Sequence, residues 1–142
     1  MKELRERGRG ERESGGFLLG RRTARSRTIE QFIAYDDIDP SSLRGAILFD
    51  GSKMDEVWRV CREKRLQVVA DVHTHPFGFG QSGVDRANPM IPEKGHIALI
   101  VPNFADRYYG PGDIGIYEFR GIGQWTDHSR KGPRFFSVRG LA

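Results

Sequence analysis

Between Gln67 and His75 the chain reads Gln-Val-Val-Ala-Asp-Val-His-Thr-His, an almost continuously apolar run that closes on two imidazoles. Such a run predicts a central strand covered on both faces, and so a layered fold built around it. Side chains alternate across a strand, so His73 and His75 point the same way where the backbone leaves the sheet. At that spacing two ring nitrogens can converge on one metal at roughly 2.0–2.1 Å.

The residues that follow extend this constellation. Asp85 lies ten positions beyond His75, with Ser82 between them, and a carboxylate reaching back across the loop supplies a third ligand. Three protein ligands and a free fourth position are the pattern of a catalytic rather than a structural zinc. Each element also has an ordinary explanation. Histidines at a strand end are often simply hydrogen-bonded, and Ser82-Gly83-Val84-Asp85 is itself a helix N-terminus signal. The two explanations are compatible, because the first turn of a short helix can aim Asp85 at the metal, with Pro89 and Pro92 keeping that helix brief. The expectation is a metal hydrolase.

Composition narrows the setting. At 142 residues, 37% hydrophobic and 30% charged, the chain is expected to form one domain spanning 1–142. No apolar run approaches the roughly 20 residues of a membrane-spanning helix, and no apolar stretch follows the basic residues at the N-terminus as in a secretory signal. Cys61 is the only cysteine, which excludes an internal disulfide and a cysteine-based zinc site and fits a cytoplasmic protein. The net charge of +4 is unevenly spread, with Arg5, Arg7, Arg9, Arg12, Arg21, Arg22, Arg25 and Arg27 near the start. Glu3, Glu6, Glu11 and Glu13 interleave with them, so a solvated, partly self-paired surface is favoured over a nucleic-acid patch.

Along the chain, residues 1–12 read as a polar segment with a frayed helix interrupted by Gly8 and Gly10. Strands are predicted at Gly16–Gly20, Arg27–Tyr35 and Ala46–Phe49, with turn chemistry over Asp36–Ser42. Ser52 and Asp55 have the spacing of a capping box, followed by a helix whose stripe of Met54, Val57, Trp58, Cys61 and Leu66 faces a sheet. Further strands are expected at His96–Val101, Gly115–Arg120 and Phe135–Val138. The pattern is α/β, of the layered α+β kind, with a central mixed sheet flanked by helices.

Hydrolysis also needs a proton acceptor, and no Glu sits beside the histidines as in His-Glu-x-x-His enzymes. Glu13, just before the first strand, and Glu11 are the candidates, and spacing does not choose between them.

Taken together, Glu13 with Gly16 and Gly20, then His73-Thr74-His75-Pro76, then Ser82-Gly83-Val84-Asp85 resemble the JAB/MPN (JAMM) metalloprotease domain. Its mark is Glu-x-x-Gly-x-x-x-Gly, His-x-His-Pro and Ser-x-x-Asp, in that order. The resemblance runs from about Glu13 to Val101. It implies a cytidine-deaminase-like fold and one zinc held by His73, His75 and Asp85, with a water as the fourth ligand. It further implies Glu13 as general base and Ser82 as oxyanion stabiliser. The implied substrate is a peptide or isopeptide bond after the C-terminal Gly-Gly of a ubiquitin-like protein, with E1-like and E2-like enzymes as further partners. Small prokaryotic members are the nearest in character, because the loop Phe77-Gly78-Phe79-Gly80-Gln81 is short. Phe77 and Phe79 either wall the groove for a Gly-Gly tail or anchor the loop by packing. His96 and His128 match no position of the motif. Two alternatives accompany this expectation: a non-catalytic MPN scaffold, and a DNA-associated protein of a repair-linked type that shares the His-x-His-Pro core.

Overall fold

The structure is a computed structural model and describes residues 1–138. The chain opens with helix α1 (Lys2–Gly8), which is docked rather than frayed: Leu4 and Gly8 are buried, and the Ser14 hydroxyl donates to the Leu4 carbonyl at 2.6 Å. The helix ends on Arg9, whose left-handed backbone (φ 57°) lets its N–H reach the Arg5 carbonyl. Strands β1 (Gly15–Arg22) and β2 (Arg27–Ala34) form an antiparallel hairpin. The second strand stops one residue short of Tyr35, which starts a single helical turn, α2 (Tyr35–Ile38), inside the acidic turn segment.

The strand expected at Ala46–Phe49 is reduced to one arm of a small hairpin, β3 (Leu43–Arg44) with β4 (Ala46–Ile47), and Leu48 is left 61% exposed. Ser52 does not cap the long helix. Asp50 accepts both the N–H and the hydroxyl of Ser52 and caps a 3-10 turn at Gly51–Lys53, and helix α3 (Met54–Lys64) follows without a side-chain cap. The ionised carboxylate two residues upstream is the stronger acceptor, and it moves the start of helical structure earlier. Of the α3 stripe, Val57 and Cys61 are buried, whereas Trp58 is 38% exposed and lies at its edge.

Strand β5 (Gln67–Thr74) comes next, then the short helix α4 (Gly83–Ala87), β6 (Ile97–Val101), β7 (Gly115–Gly121) and β8 (Gln124–Asp127). The final strand is β8 and not Phe135–Val138, which follows a 3-10 helix at Ser129–Arg134 and joins no sheet. Gly121 and Gly123, at φ 142° and 68°, turn β7 back onto β8, and Trp125 then packs edge-on against Phe119.

The six strands are ordered β2-β1-β5-β6-β7-β8. Only β5 and β6 run parallel, so the sheet is mixed. One face carries Leu4 of α1 with Val72, Leu99, Val101 and Ile116, and the other carries Val57 and Cys61 of α3 with Phe17, Leu19 and Tyr35. Cover on both sides is why β5 is almost continuously apolar, and it makes the fold a layered α+β arrangement. Among the described residues, no helix is long and apolar enough to cross a membrane.

Candidate metal centre

Parallel neighbours such as β5 and β6 require a long crossover, and this one leaves the sheet at His75. The strand end is fixed from both sides. Thr74 N–H donates to the Ser14 carbonyl at 2.8 Å, and Ser14 N–H donates to the Thr74 hydroxyl at 2.9 Å. His75 N–H donates to the Val101 carbonyl, and its own carbonyl accepts from Phe104 N–H. Gly15 pairs with His73, and a side chain there would run into the Val72 carbonyl, the Tyr35 ring and the His73 Cβ. The close approach of β1 therefore sets where His73 can stand.

The crossover returns Asp85 to the histidines. Its Oδ1 lies 3.3 Å from His73 Nε2 and its Oδ2 3.0 Å from His75 Nε2, while the two Nε2 atoms are 3.0 Å apart. Both histidines are buried and Asp85 is half-buried. Among the described residues, this is the one group of three or more histidines, cysteines or acids whose ligand atoms all fall within 4.8 Å. Tetrahedral donors at roughly 2.0–2.1 Å from a zinc would stand about 3.3 Å from one another. The triad meets that spacing to within a few tenths of an ångström, and its donor chemistry of two imidazoles and a carboxylate fits the same ion.

Asp85 is positioned by its own helix. Ser82 Oγ accepts the Asp85 N–H at 3.1 Å, and Ser82 N–H donates to Asp85 Oδ2 at 2.8 Å, a reciprocal capping box at the start of α4. Ser82 is exposed, and with its oxygen engaged at the cap its hydroxyl proton is free to point outward. The outer strands brace the crossover. Tyr117 OH donates to the Phe79 carbonyl at 2.9 Å, and Trp125 Nε1 donates to the Arg86 carbonyl at 3.1 Å. Phe79 is thus anchored by its backbone, whereas Phe77, at 84% exposure, is no packing anchor.

Of the two candidate bases, Glu13 is half-buried and lies in the field of His73, His75 and Asp85, whereas Glu11 is exposed. The β3–β4 hairpin holds Glu13. Its N–H donates to the Gly45 carbonyl at 2.7 Å, and the Ile47 N–H donates to its carboxylate. Neither Gly45 nor Ile47 carries any signature in the sequence, because each contributes only backbone. Tyr117 and Trp125 were also unmarked; they are strand residues whose polar tips reach the loop.

The electrostatics follow from this crowding. Burial opposes ionisation of Glu13 and raises its pKa, although the two imidazoles pull it down. Burial also works against a charged His73, but the hydrogen bond and charge of Asp85 outweigh it and raise the His73 pKa. Asp85 is pushed up by burial, yet the hydrogen bonds from His73 and His75 hold it far below the usual carboxylate range. His96 lies outside the triad: its Nε2 pairs with Asp71 at 2.6 Å, and Asp71 also accepts from Tyr35 OH at 3.3 Å. His128 pairs with Glu118 at 2.9 Å on another part of the sheet.

No family model matches the chain. Among solved structures it is similar to protein DSY2949 from Desulfitobacterium hafniense, determined in solution. The TM-score is 0.65 at 15% sequence identity, over 89% of this chain and 83% of that one. At that identity the likeness is one of fold.

Proposed function

We propose that the protein is a zinc-dependent hydrolase of the JAB/MPN type that cleaves after the C-terminal Gly-Gly of a ubiquitin-like protein. The observation that carries this reading is the convergence of His73, His75 and Asp85, with the half-buried Glu13 carboxylate in their field. His73, His75 and Asp85 hold the ion, which when bound supplies a Lewis acid and lowers the pKa of water to about 7. Glu13 accepts a proton from the attacking water and passes it to the departing nitrogen. The Ser82 hydroxyl donates to the carbonyl oxygen as negative charge develops on it, an interaction commonly worth about 3 kcal/mol. Exposed Phe77 and the backbone-anchored Phe79, in the loop between the histidines and Ser82, are the residues this reading assigns to contact with a Gly-Gly tail, whose lack of side chains lets its backbone come close. A cytoplasmic setting, and E1-like and E2-like enzymes as partners, belong to the same proposal.

A matched pair of fusions tests it, with Gly-Gly or Gly-Leu before the scissile bond of a ubiquitin-like protein. The zinc-loaded protein is expected to cut the first and to cut the second at least about tenfold more slowly, since a bulky residue blocks approach rather than docking. Equal cleavage of both would replace the proposal with a general metallopeptidase, and cleavage of neither would leave it without a substrate class.

A further inference from the structure

At the opposite end of β1 and β5 from the histidines, a second cavity of about 400 Å³ opens beside the β1–β2 turn. Four arginines line it: Arg22 and Arg25 at the turn, Arg27 at the start of β2, and Arg134 from the C-terminal 3-10 helix. None of the four forms an ion pair with a carboxylate among the described residues. Glu30 is paired with Arg21 at 3.2 Å, and Glu118, itself in the lining, with Arg120 at 3.0 Å and His128 at 2.9 Å, while Glu93 acts on Arg27 by charge alone.

Arg27 is held in place, whereas Arg22, Arg25 and Arg134 are exposed. Arg27 donates to the Val69 carbonyl at 3.0 Å and to the Gly95 carbonyl at 2.6 Å, which fixes its guanidinium against the sheet. Arg22 Nη2 and Arg27 Nη2 both come within 4 Å of the space beside the Gly95 Cα, so the two groups converge. The turn is tied by Thr23, whose hydroxyl accepts the Ser26 N–H at 3.0 Å, while Thr23 N–H donates to the Ser26 carbonyl at 2.8 Å. Burial and the neighbouring Arg22 lower the Arg27 pKa, although Glu118 and Glu93 pull it up.

The lining also carries Thr23, Ser26 and Glu118, beside an apolar portion. Ile97 and Leu99 form part of it, and Phe135 and Phe136 close one side. Phe135 stacks on His128 with ring centroids 4.5 Å apart and an interplanar angle of 18°, yet it remains 38% exposed. The Lys131 Nζ stands 5.8 Å from the centre of the same ring, so the exposed part of Phe135 offers a flat group an apolar contact beside a further cation. The volume is that of a small-molecule pocket and exceeds what a lone phosphate needs.

We propose that this cavity binds a nucleoside phosphate, with the phosphates on the Arg22, Arg27 and Arg134 guanidiniums and the base against Phe135. Guanidinium forks match phosphate oxygens in pairs, and base–aromatic stacking adds about 1–3 kcal/mol. The site is independent of the metal centre, at the other end of the same strands.

The test is calorimetric titration of the full chain in EDTA with ADP, adenosine, inorganic phosphate and a single-stranded oligonucleotide. ADP is expected to bind at one site per chain, with adenosine and phosphate each about tenfold weaker or more. Arg22→Gln and Arg134→Gln should each weaken ADP by about fivefold or more, and Phe135→Ala should weaken ADP without weakening phosphate. All three residues are exposed, so the fold is expected to persist, with a thermal melt as the check. His73→Ala should leave ADP affinity unchanged. Phosphate binding as tightly as ADP would reduce the cavity to an adventitious anion surface and overturn the proposal. So would no ADP binding, ADP binding insensitive to the arginine variants, loss of ADP with His73→Ala, or an oligonucleotide displacing ADP across several nucleotides.

Discussion

The two ends of β5 handle charge in opposite ways. At its carboxyl end Asp85 sits between two imidazoles, at 3.3 and 3.0 Å, so the group is internally compensated when His73 is protonated. At its amino end four guanidiniums gather around a cavity whose lining holds the carboxylate of Glu118, and among the described residues none of the four is ion-paired. In the proposed function the first end would exchange one cation for another, a proton for a metal. The second carries an excess of cations over its one lining carboxylate, which an anion from outside would offset. Burial acts alike at both, disfavouring charge, and each end is in that sense prepared for a ligand of opposite character.

The sharpest way to break this contrast is to remove the compensating acid. Asp85→Ala and His73→Ala should each abolish stable zinc binding, with metal content falling from about one per chain to a small fraction, because two remaining donors do not complete a site. Full zinc in both variants, read by elemental analysis, would remove the triad from the argument and with it the difference between the ends.

A smaller effect separates chemistry from binding. Glu13→Gln should keep zinc and fold but slow hydrolysis by about 10²–10⁴-fold, since the amide still accepts the Ile47 N–H but takes no proton. Glu11→Gln should be nearly silent, as Glu11 is exposed. The reverse outcome in a turnover assay would shift the first element of the site by two residues.

The mildest effect is in pH. Asp85 has a depressed pKa, so its contribution to the metal-free fold is present above its ordinary value of 3.8 and is lost as pH falls through that range and below. His73 has a raised pKa, so its contribution is present below its ordinary value of 6.5 and is lost as pH rises through the higher folded value. The pair thus supports the metal-free protein most between those two ordinary values. Zinc requires neutral imidazoles, so its affinity should instead climb as pH rises past the His73 transition. Thermal melts should accordingly show the metal-free protein losing stability relative to Asp85→Asn on the alkaline side, while the zinc-loaded protein gains it. Parallel slopes would show that proton and metal do not compete at the triad.

The two ends also differ in how far they can be read from the chain. His73, Thr74, His75 and Pro76 are contiguous, and Ser82 and Asp85 are spaced by one helical turn, so periodicity alone places them on a strand end and a capped helix. The buried β5, the α3 stripe through Val57 and Cys61, and β6 were legible for the same reason: burial imposes a local period. Where competition between local groups decides, the pattern misleads. Asp50 took the cap that Ser52 was expected to provide, and Phe135 and Phe136, apolar enough for a strand, found no partner because β8 already closes that edge. The arginine cavity left only a partial trace, since Arg22, Arg25 and Arg27 lie together in the Arg-rich start whereas Leu99, Arg134 and Phe135 come from separate segments of the chain.

The sequence by itself determined the layered α+β class, the central strand and the donor types at its end, because each rests on side-chain identity at short range. Tertiary structure alone decided which glutamate faces the histidines, through the backbone of a two-residue hairpin at Gly45 and Ile47. It also decided that Arg134, distant along the chain, would share one cavity with the arginines of the β1–β2 turn. Backbone donors are chemically alike at every residue and sheet order is a long-range choice, so neither leaves a mark that a local reading of residues can find.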